Sequence, residues 1–275
     1  MKAQLLTLRL VVVCLVLGGS LVALTAVAGP PGASGLLPDV RTVVPKHLGI
    51  QNAQQREILR FTNGVANTGA GDLRMRPDPV PRTSDELTTT AIQEILDADG
   101  NLVSERVAGT FEYHPEHNHW HIGSVALFEA RYALDDGRGG RFGDVFVNDR
   151  GQAQSVKTTF CLIDSYQLNA NSPTSQREYW ACETGYQGIQ SGWVDQYHQA
   201  LEGQTIDITG MAPGIYYLMS TSNPDRLFLE SNYTNNTAWT SFQLTRDSMG
   251  NPKIQIIANS PCDSPGMCGA QSTNR

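Results

Sequence analysis

The sequence has no basic excess, no internal repeat and no long amphipathic helical pattern, and each absence removes a class of protein. Lys and Arg number 20 against 27 Asp and Glu, a formal net charge of -7. A nucleic-acid-binding domain shows the opposite balance, so no polyanion partner is implied. A mild acidic excess of this size is an ordinary solubility feature. The best helical stretches, Asn52 to Leu59 and Trp193 to Leu201, are each about two turns long. Cysteine is scarce as well, at 5 in 275 residues.

The one long apolar run lies at the N-terminus, where Lys2 and Arg9 precede Leu10 to Ala28, ending in Ala26-Val27-Ala28 before Gly29-Pro30-Pro31. Basic residues, an apolar run and small residues are the pattern of a secretory signal peptide. Residues 1–28 are therefore read as a signal, with an uncleaved anchor as the competing reading because the run approaches the ~20 residues of a membrane span. Both readings put the rest outside the cytoplasm, and no other membrane contact is expected. Cys14 falls within this segment, leaving Cys161, Cys182, Cys262 and Cys268 in an oxidising compartment. Chain order favours Cys161 with Cys182 and Cys262 with Cys268, although four cysteines permit three connectivities.

Beyond a Gly/Pro-rich linker at 29–35, short apolar alternations are broken by Gly, Asn, Asp and Pro about every ten residues, the rhythm of strands and turns. Asp97-Ala98-Asp99-Gly100-Asn101 between Ile92–Leu96 and Leu102–Val107 reads as a hairpin turn. Thr205–Ile208 and Ile215–Ser220 read as two more strands. The expected fold is mainly β, a β-sandwich-like single catalytic domain over 36–246 with short helices and long loops. A Cys-containing tail follows at 247–275, as a stapled extension or a partly disordered end.

Three of the six histidines fall in His117-Asn118-His119-Trp120-His121, with His114 just upstream. On a strand, residues i, i+2 and i+4 share a face, so His117, His119 and His121 would converge while Asn118 and Trp120 point away. The outer Cα atoms of such a strand lie roughly 13 Å apart, which calls for a twist or bulge near His119 if the rings are to share one ion. Imidazole suits copper and zinc alike, and three protein ligands leave a position open for solvent or substrate. His114 is off the alternation by parity and is expected beside the site or at the surface.

Several stretches in order then resemble the catalytic domain of the lysyl oxidase family. His117-x-His119-x-His121 is similar to that family's copper-binding segment. Lys157-Thr158-Thr159-Phe160-Cys161-Leu162 resembles its Lys-x-x-Phe-Cys-Leu, and Gln187-Gly188-Ile189, Gly192 and Asp195-Gln196-Tyr197 resemble the stretch holding a cofactor tyrosine. Ile206-Asp207-Ile208-Thr209, Pro213-Gly214, Asn223-Pro224 and Glu230 to Asn236 follow, while Leu37-Pro38-Asp39-Val40, Leu59-Arg60-Phe61 and Val65 to Gly69 match upstream. The similarity runs from about Leu36 to Leu244.

The resemblance implies a copper-dependent amine oxidase. Cu(II) would sit on His117, His119 and His121, and Lys157 and Tyr197 would be joined as lysine tyrosylquinone. With O2, such an enzyme converts a primary amine or a lysine-bearing protein to the aldehyde, releasing hydrogen peroxide and ammonia. Asp195 and Asp207 are the expected candidates for the proton-abstracting base, and His198 would tune the site or face water. Asp39, the Val40 carbonyl, Glu230, Asn232, Asn235 and Asn236 resemble a calcium site, whose oxygen donors suit that hard cation. Asn232 stands where relatives often carry aspartate, and Glu116 and Trp193 fill positions where animal members have cysteine. Asn232-Tyr233-Thr234 and Asn235-Asn236-Thr237 also match the glycosylation sequon, at odds with buried ligand roles. No scavenger-receptor or basic propeptide region is seen ahead of the domain in this sequence, so substrate identity stays open. Two other readings use the same residues: a non-catalytic copper- or zinc-binding extracellular protein, and a calcium-stapled surface binding module.

Overall fold

The computed structural model describes residues 34–81, 87–116 and 118–269. The expected signal segment with Cys14, most of the linker, His117 and the last six residues lie outside them. Among the described residues the chain runs as strands: β1 (Val40–Ala53), β2 (Arg56–Asn67), β3 (Leu73–Asp78), β4 (Thr88–Leu96) and β5 (Leu102–His114). Next come β6 (His119–Ala133), β7 (Phe142–Val145), β8 (Ser155–Phe160), β9 (Tyr166–Gln167) and β10 (Gln187–Ile189). β11 (Trp193–Tyr197), β12 (Thr205–Asp207), β13 (Gly214–Ser222), β14 (Thr237–Arg246) and β15 (Pro252–Asn259) complete the series.

These strands form two antiparallel sheets. The smaller has the order β1-β2-β11-β9, with β12 also on β2. The larger runs β10-β3-β4-β5-β6-β13-β14-β15, with β7 and β8 also on β6. Alternate residues of each strand point to one face, so Leu59, Phe61 and Val65 of β2 meet Phe128 and Ala130 of β6 in one shared core. Phe61 and Phe128 lie edge to face with centroids 4.8 Å apart, which marks the seam between the sheets. This is a mainly β, sandwich-like architecture, as the alternation predicts.

No helix is present among the described residues, and both expected helical stretches are strand and turn. Asn52 to Leu59 is the tip of the β1–β2 hairpin, where Ala53 pairs with Arg56 across Gln54 and Gln55. Both turn residues have positive φ, 49° and 64°, as a tight two-residue hairpin turn demands. Such a turn ordinarily announces itself by Asn-Gly or Asp-Gly, and Gln-Gln carries neither signal. Trp193 to Tyr197 is β11, held between β2 and β9, after which the chain turns at His198 to Leu201. Burial on both sides erased the polar alternation of β11 and left a pattern that a helix also fits.

The outer face of the smaller sheet carries a second apolar cluster of Val43, Ala66, Leu168, Val194 and Met267. Residues beyond 246 contribute to both layers, since β15 pairs with β14 and the Val44 N–H donates to the Met267 carbonyl. Disulfides join Cys161 to Cys182 and Cys262 to Cys268, the pairing that chain order favours.

Candidate active site

β5 and β6 are hairpin neighbours in a register that sets His114 opposite His119, Tyr113 opposite Trp120 and Glu112 opposite His121. Alternation along β6 sends Trp120 into the core, against the ring of Tyr113, and leaves His119 and His121 on the other face. The two imidazoles converge, with Nε2 atoms 2.9 Å apart. Thr159 of β8 lies 3.1 Å from His121 Nδ1 and accepts its proton in the tautomer that keeps the Nε2 lone pair free. His114 stacks on His121 at 4.1 Å between centroids. Sequence parity placed His114 off the face, but the turn between β5 and β6 resets the count. The backbone departs from extended geometry on both sides of the pair, at Asn118 and at Ser124, each with φ of 55°. At Ser124 the β6–β8 ladder is interrupted between Ile122 and Ala126.

Tyr197 ends β11 and so comes from the other sheet. Its ring stacks on Phe160 at 4.0 Å between centroids, and its hydroxyl donates to the Cys161 carbonyl. The Trp120 N–H donates to the Cys182 carbonyl, and Gln187 donates to the Trp120 carbonyl while accepting the Leu162 N–H. The Cys161–Cys182 bridge thus links the strand that carries the histidines to the residue that holds Tyr197. Fully buried Asp164 anchors this region by accepting the N–H groups of Gln190, Tyr179 and Glu178, and burial pushes its carboxyl up to about 6.

His119, His121, Cys161, Ile163, Tyr197, Leu201 and Glu202 line one pocket of about 150 Å³. That is well below the roughly 300–1,000 Å³ of sites for drug-sized ligands, so the pocket suits a narrow chain end. Glu202 brings a carboxylate to its wall, a feature that only the fold reveals.

The other expected residues are placed differently. Lys157 is on β8, on the same strand face as Thr159, and its ammonium is held 2.7 and 2.8 Å from the two carboxylate oxygens of Asp225. Asp195 is fully buried on β11 beside the Ser165 hydroxyl, 3.3 Å away. Asp207 is ion-paired to Arg56 and accepts the N–H and hydroxyl of Thr209. Burial opposes its charge, but the bonds from Thr209 and Arg56 prevail and hold its carboxyl below the usual range. Neither aspartate lines the histidine pocket. His198 faces the ring of His47, centroids 6.0 Å apart.

A second polar cluster lies where the start of β1 meets the Glu230 to Asn236 loop. Glu230 is buried and accepts bonds from the Val40 N–H, Asn223 and Asn236. Asn235 donates to both carboxylate oxygens of Asp39 at 3.1 Å. The side-chain oxygens of Asn235 and Asn236 are buried without a hydrogen-bond partner. Burial pushes the Glu230 carboxyl up, and Asp39 adds to the rise. The Asn232 side-chain oxygen accepts the N–H and hydroxyl of Thr234 instead.

A family model described as Lysyl oxidase matches residues 89–251. Human protein-lysine 6-oxidase is 32% identical over 187 residues, covering 68% of this chain and 34% of that protein. Bovine lysyl oxidase homolog 1 is 29% identical over 157 residues, covering 57% of this chain and 24% of the relative. Xenopus laevis lysyl oxidase homolog 2 is 29% identical over 181 residues, 66% of this chain and 18% of the relative. The chain therefore matches between about a fifth and a third of these curated proteins.

Proposed function

The chain belongs to the lysyl oxidase family, and from that premise we propose that it is a secreted, copper-dependent amine oxidase acting on primary amines or peptidyl lysine. The observation that carries the reading is one pocket lined by His119, His121, Tyr197 and Glu202, with narrow apolar walls of Ile163 and Leu201.

The spacing of His119 and His121 supports a shared metal ion. Two imidazole nitrogens bound at about 2.0 Å to one ion lie roughly 2.9–3.3 Å apart, and the two Nε2 atoms are 2.9 Å apart. His117, His119 and His121 would hold Cu(II), and Lys157 and Tyr197 would be joined as lysine tyrosylquinone. When bound, these groups supply the carbonyl electrophile and the electron exchange with O2 that turn a primary amine into an aldehyde, with hydrogen peroxide and ammonia released.

The chain's own residues do the rest. Thr159 fixes the tilt of His121 and accepts its Nδ1 proton when Nε2 is the metal-binding nitrogen. Phe160 and the Cys161 carbonyl fix the ring of Tyr197. Glu202 draws a protonated amine to the pocket by charge, while Ile163 and Leu201 line its alkyl stem. Asp39, Val40, Glu230, Asn235 and Asn236 would hold a calcium ion that staples β1 to the following loop. The two unpartnered amide oxygens beside two carboxylates suit such a hard cation. In this reading the Asn232 oxygen needs to release Thr234 to take part. The signal-like segment and the two disulfides support an extracellular location.

A second reading, a metal-binding protein without oxidase activity, draws on the Lys157–Asp225 pair, which engages the lysine with a carboxylate. Peroxide release by copper-loaded protein with several primary amines decides between them. The oxidase reading expects activity that Lys157→Ala and Tyr197→Phe each abolish while copper remains bound. An inactive, aerated, copper-loaded wild type refutes it and favours the second reading.

A further inference from the structure

We propose that Asp225 is a positioning residue that retains Lys157 in the uncross-linked chain and so sets the pace at which Lys157 joins Tyr197; the inference rests on the cofactor reading above. Both oxygens of Asp225 face the Lys157 ammonium, at 2.7 and 2.8 Å. Hydrogen bonds first from Lys157 and then from Ser124 hold the Asp225 carboxyl below the usual carboxylate range, so it stays charged.

The surrounding backbone is shaped to present this carboxylate. Asp225 sits in a turn closed by the Arg226 N–H on the Asn223 carbonyl at 3.0 Å, and the Asn223 N–H ties that turn to Val125 of β6 at 2.8 Å. Asn223, Arg226 and Ser124 have φ of 48°, 53° and 55°. Left-handed backbone is unfavourable for residues with a Cβ and persists where the surroundings impose it. Here three such residues flank a single carboxylate. Ser124 also stands where the β6–β8 ladder is interrupted, opposite the strand that carries Lys157.

The pairing bears directly on the chemistry of joining. The cross-link is a carbon–nitrogen bond from Lys157 Nζ to the ring of Tyr197. With two O2 as oxidant, ring and amine together lose four hydrogens and gain one oxygen, and one water and one hydrogen peroxide leave. The nitrogen enters as the neutral amine, its extra proton passing to solvent. An ammonium clasped by Asp225 has no lone pair to offer and must first leave the carboxylate. Asp225 therefore stabilises the state before joining.

The test follows cross-linking in the full chain, expressed without copper and then given Cu(II) in air. Peptide mass spectrometry reads the Lys157–Tyr197 cross-linked species over time in the wild type, Asp225→Asn and Asp225→Glu. An exposed pair of this kind predicts joining roughly two- to fivefold faster in Asp225→Asn. Asp225→Glu, which keeps the charge, should return to the wild-type rate, and Asp225→Asn should lower the copper-free melting temperature by no more than the roughly 1–4 °C that loss of one exposed pair predicts. An equal or slower rate in Asp225→Asn overturns the inference alone. A copper-loaded wild type that never forms the cross-linked peptide overturns the cofactor reading and this inference with it.

Discussion

Replacing Thr159 by Val probes the site without touching a proposed ligand. The two side chains have nearly the same shape, and Thr159 is half-buried, so packing changes little. What is lost is the acceptor 3.1 Å from His121 Nδ1. Without it the ring can turn, and the tautomer that offers Nε2 to a metal loses the acceptor for its Nδ1 proton. Loss of such an orienting partner typically costs about 10–100-fold in metal affinity, equivalent to about 1.4–2.7 kcal/mol. The metal-free fold should lose only about 0.5–1.5 kcal/mol, the net worth of one hydrogen bond. The assay is chelator competition with Cu(II), and separately Zn(II), on wild type, Thr159→Val and Thr159→Ser. Thr159→Ser should bind close to wild type because it keeps the hydroxyl. A Thr159→Val protein that binds both metals within twofold of wild type would refute the claim that Thr159 orients His121.

Removing the Cys161–Cys182 bridge with a double Ser variant opens a loop of sequence separation 21, which predicts a loss of about 3 kcal/mol. Removing Cys262–Cys268, separation 6, should cost about 2 kcal/mol. Denaturant unfolding ranks the two, and the reverse order would refute the loop-length argument. Calcium at millimolar concentration should raise the melting temperature, by an amount equivalent to about 2.7 kcal/mol at a hundredfold excess over Kd; Asn235→Ala with Asn236→Ala should abolish the rise. Asp164 gives a pH dependence. Its folded carboxyl, pushed up from 3.8 to about 6, keeps a proton that the unfolded chain has already released, so its contribution to stability falls as pH rises across that window. The whole change is on the order of 3 kcal/mol. Unfolding of Asp164→Asn at pH 4 and pH 6.5, compared with wild type, should lack this decline; parallel profiles would refute the assignment.

Much of the fold was legible because strand alternation is a local property. The turn from Asp97 to Asn101, the strands at Thr205 and Ile215 and the common face of His119 and His121 all follow from period two and from the turn chemistry of Asp and Gly. The errors have equally definite causes. Gln54-Gln55 forms a hairpin turn without the residues that usually mark one, and β11 is buried on both faces, so its pattern loses its period.

The sequence by itself determined which residue types the site has to work with: alternating imidazoles, a lysine, a tyrosine and cysteines in an order that favours neighbouring pairs. Tertiary structure alone decided their partners. Thr159 reaches His121 across 38 positions, Asp225 reaches Lys157 across 68, and Glu202 enters the pocket from the loop after Tyr197. His114 joins the histidine face because a turn, not parity, sets the register of β5 on β6. The physical reason is range. A side chain's face is set by the dihedrals of its immediate neighbours, whereas its hydrogen-bond partner is set by how two sheets pack, and no local pattern encodes that distance.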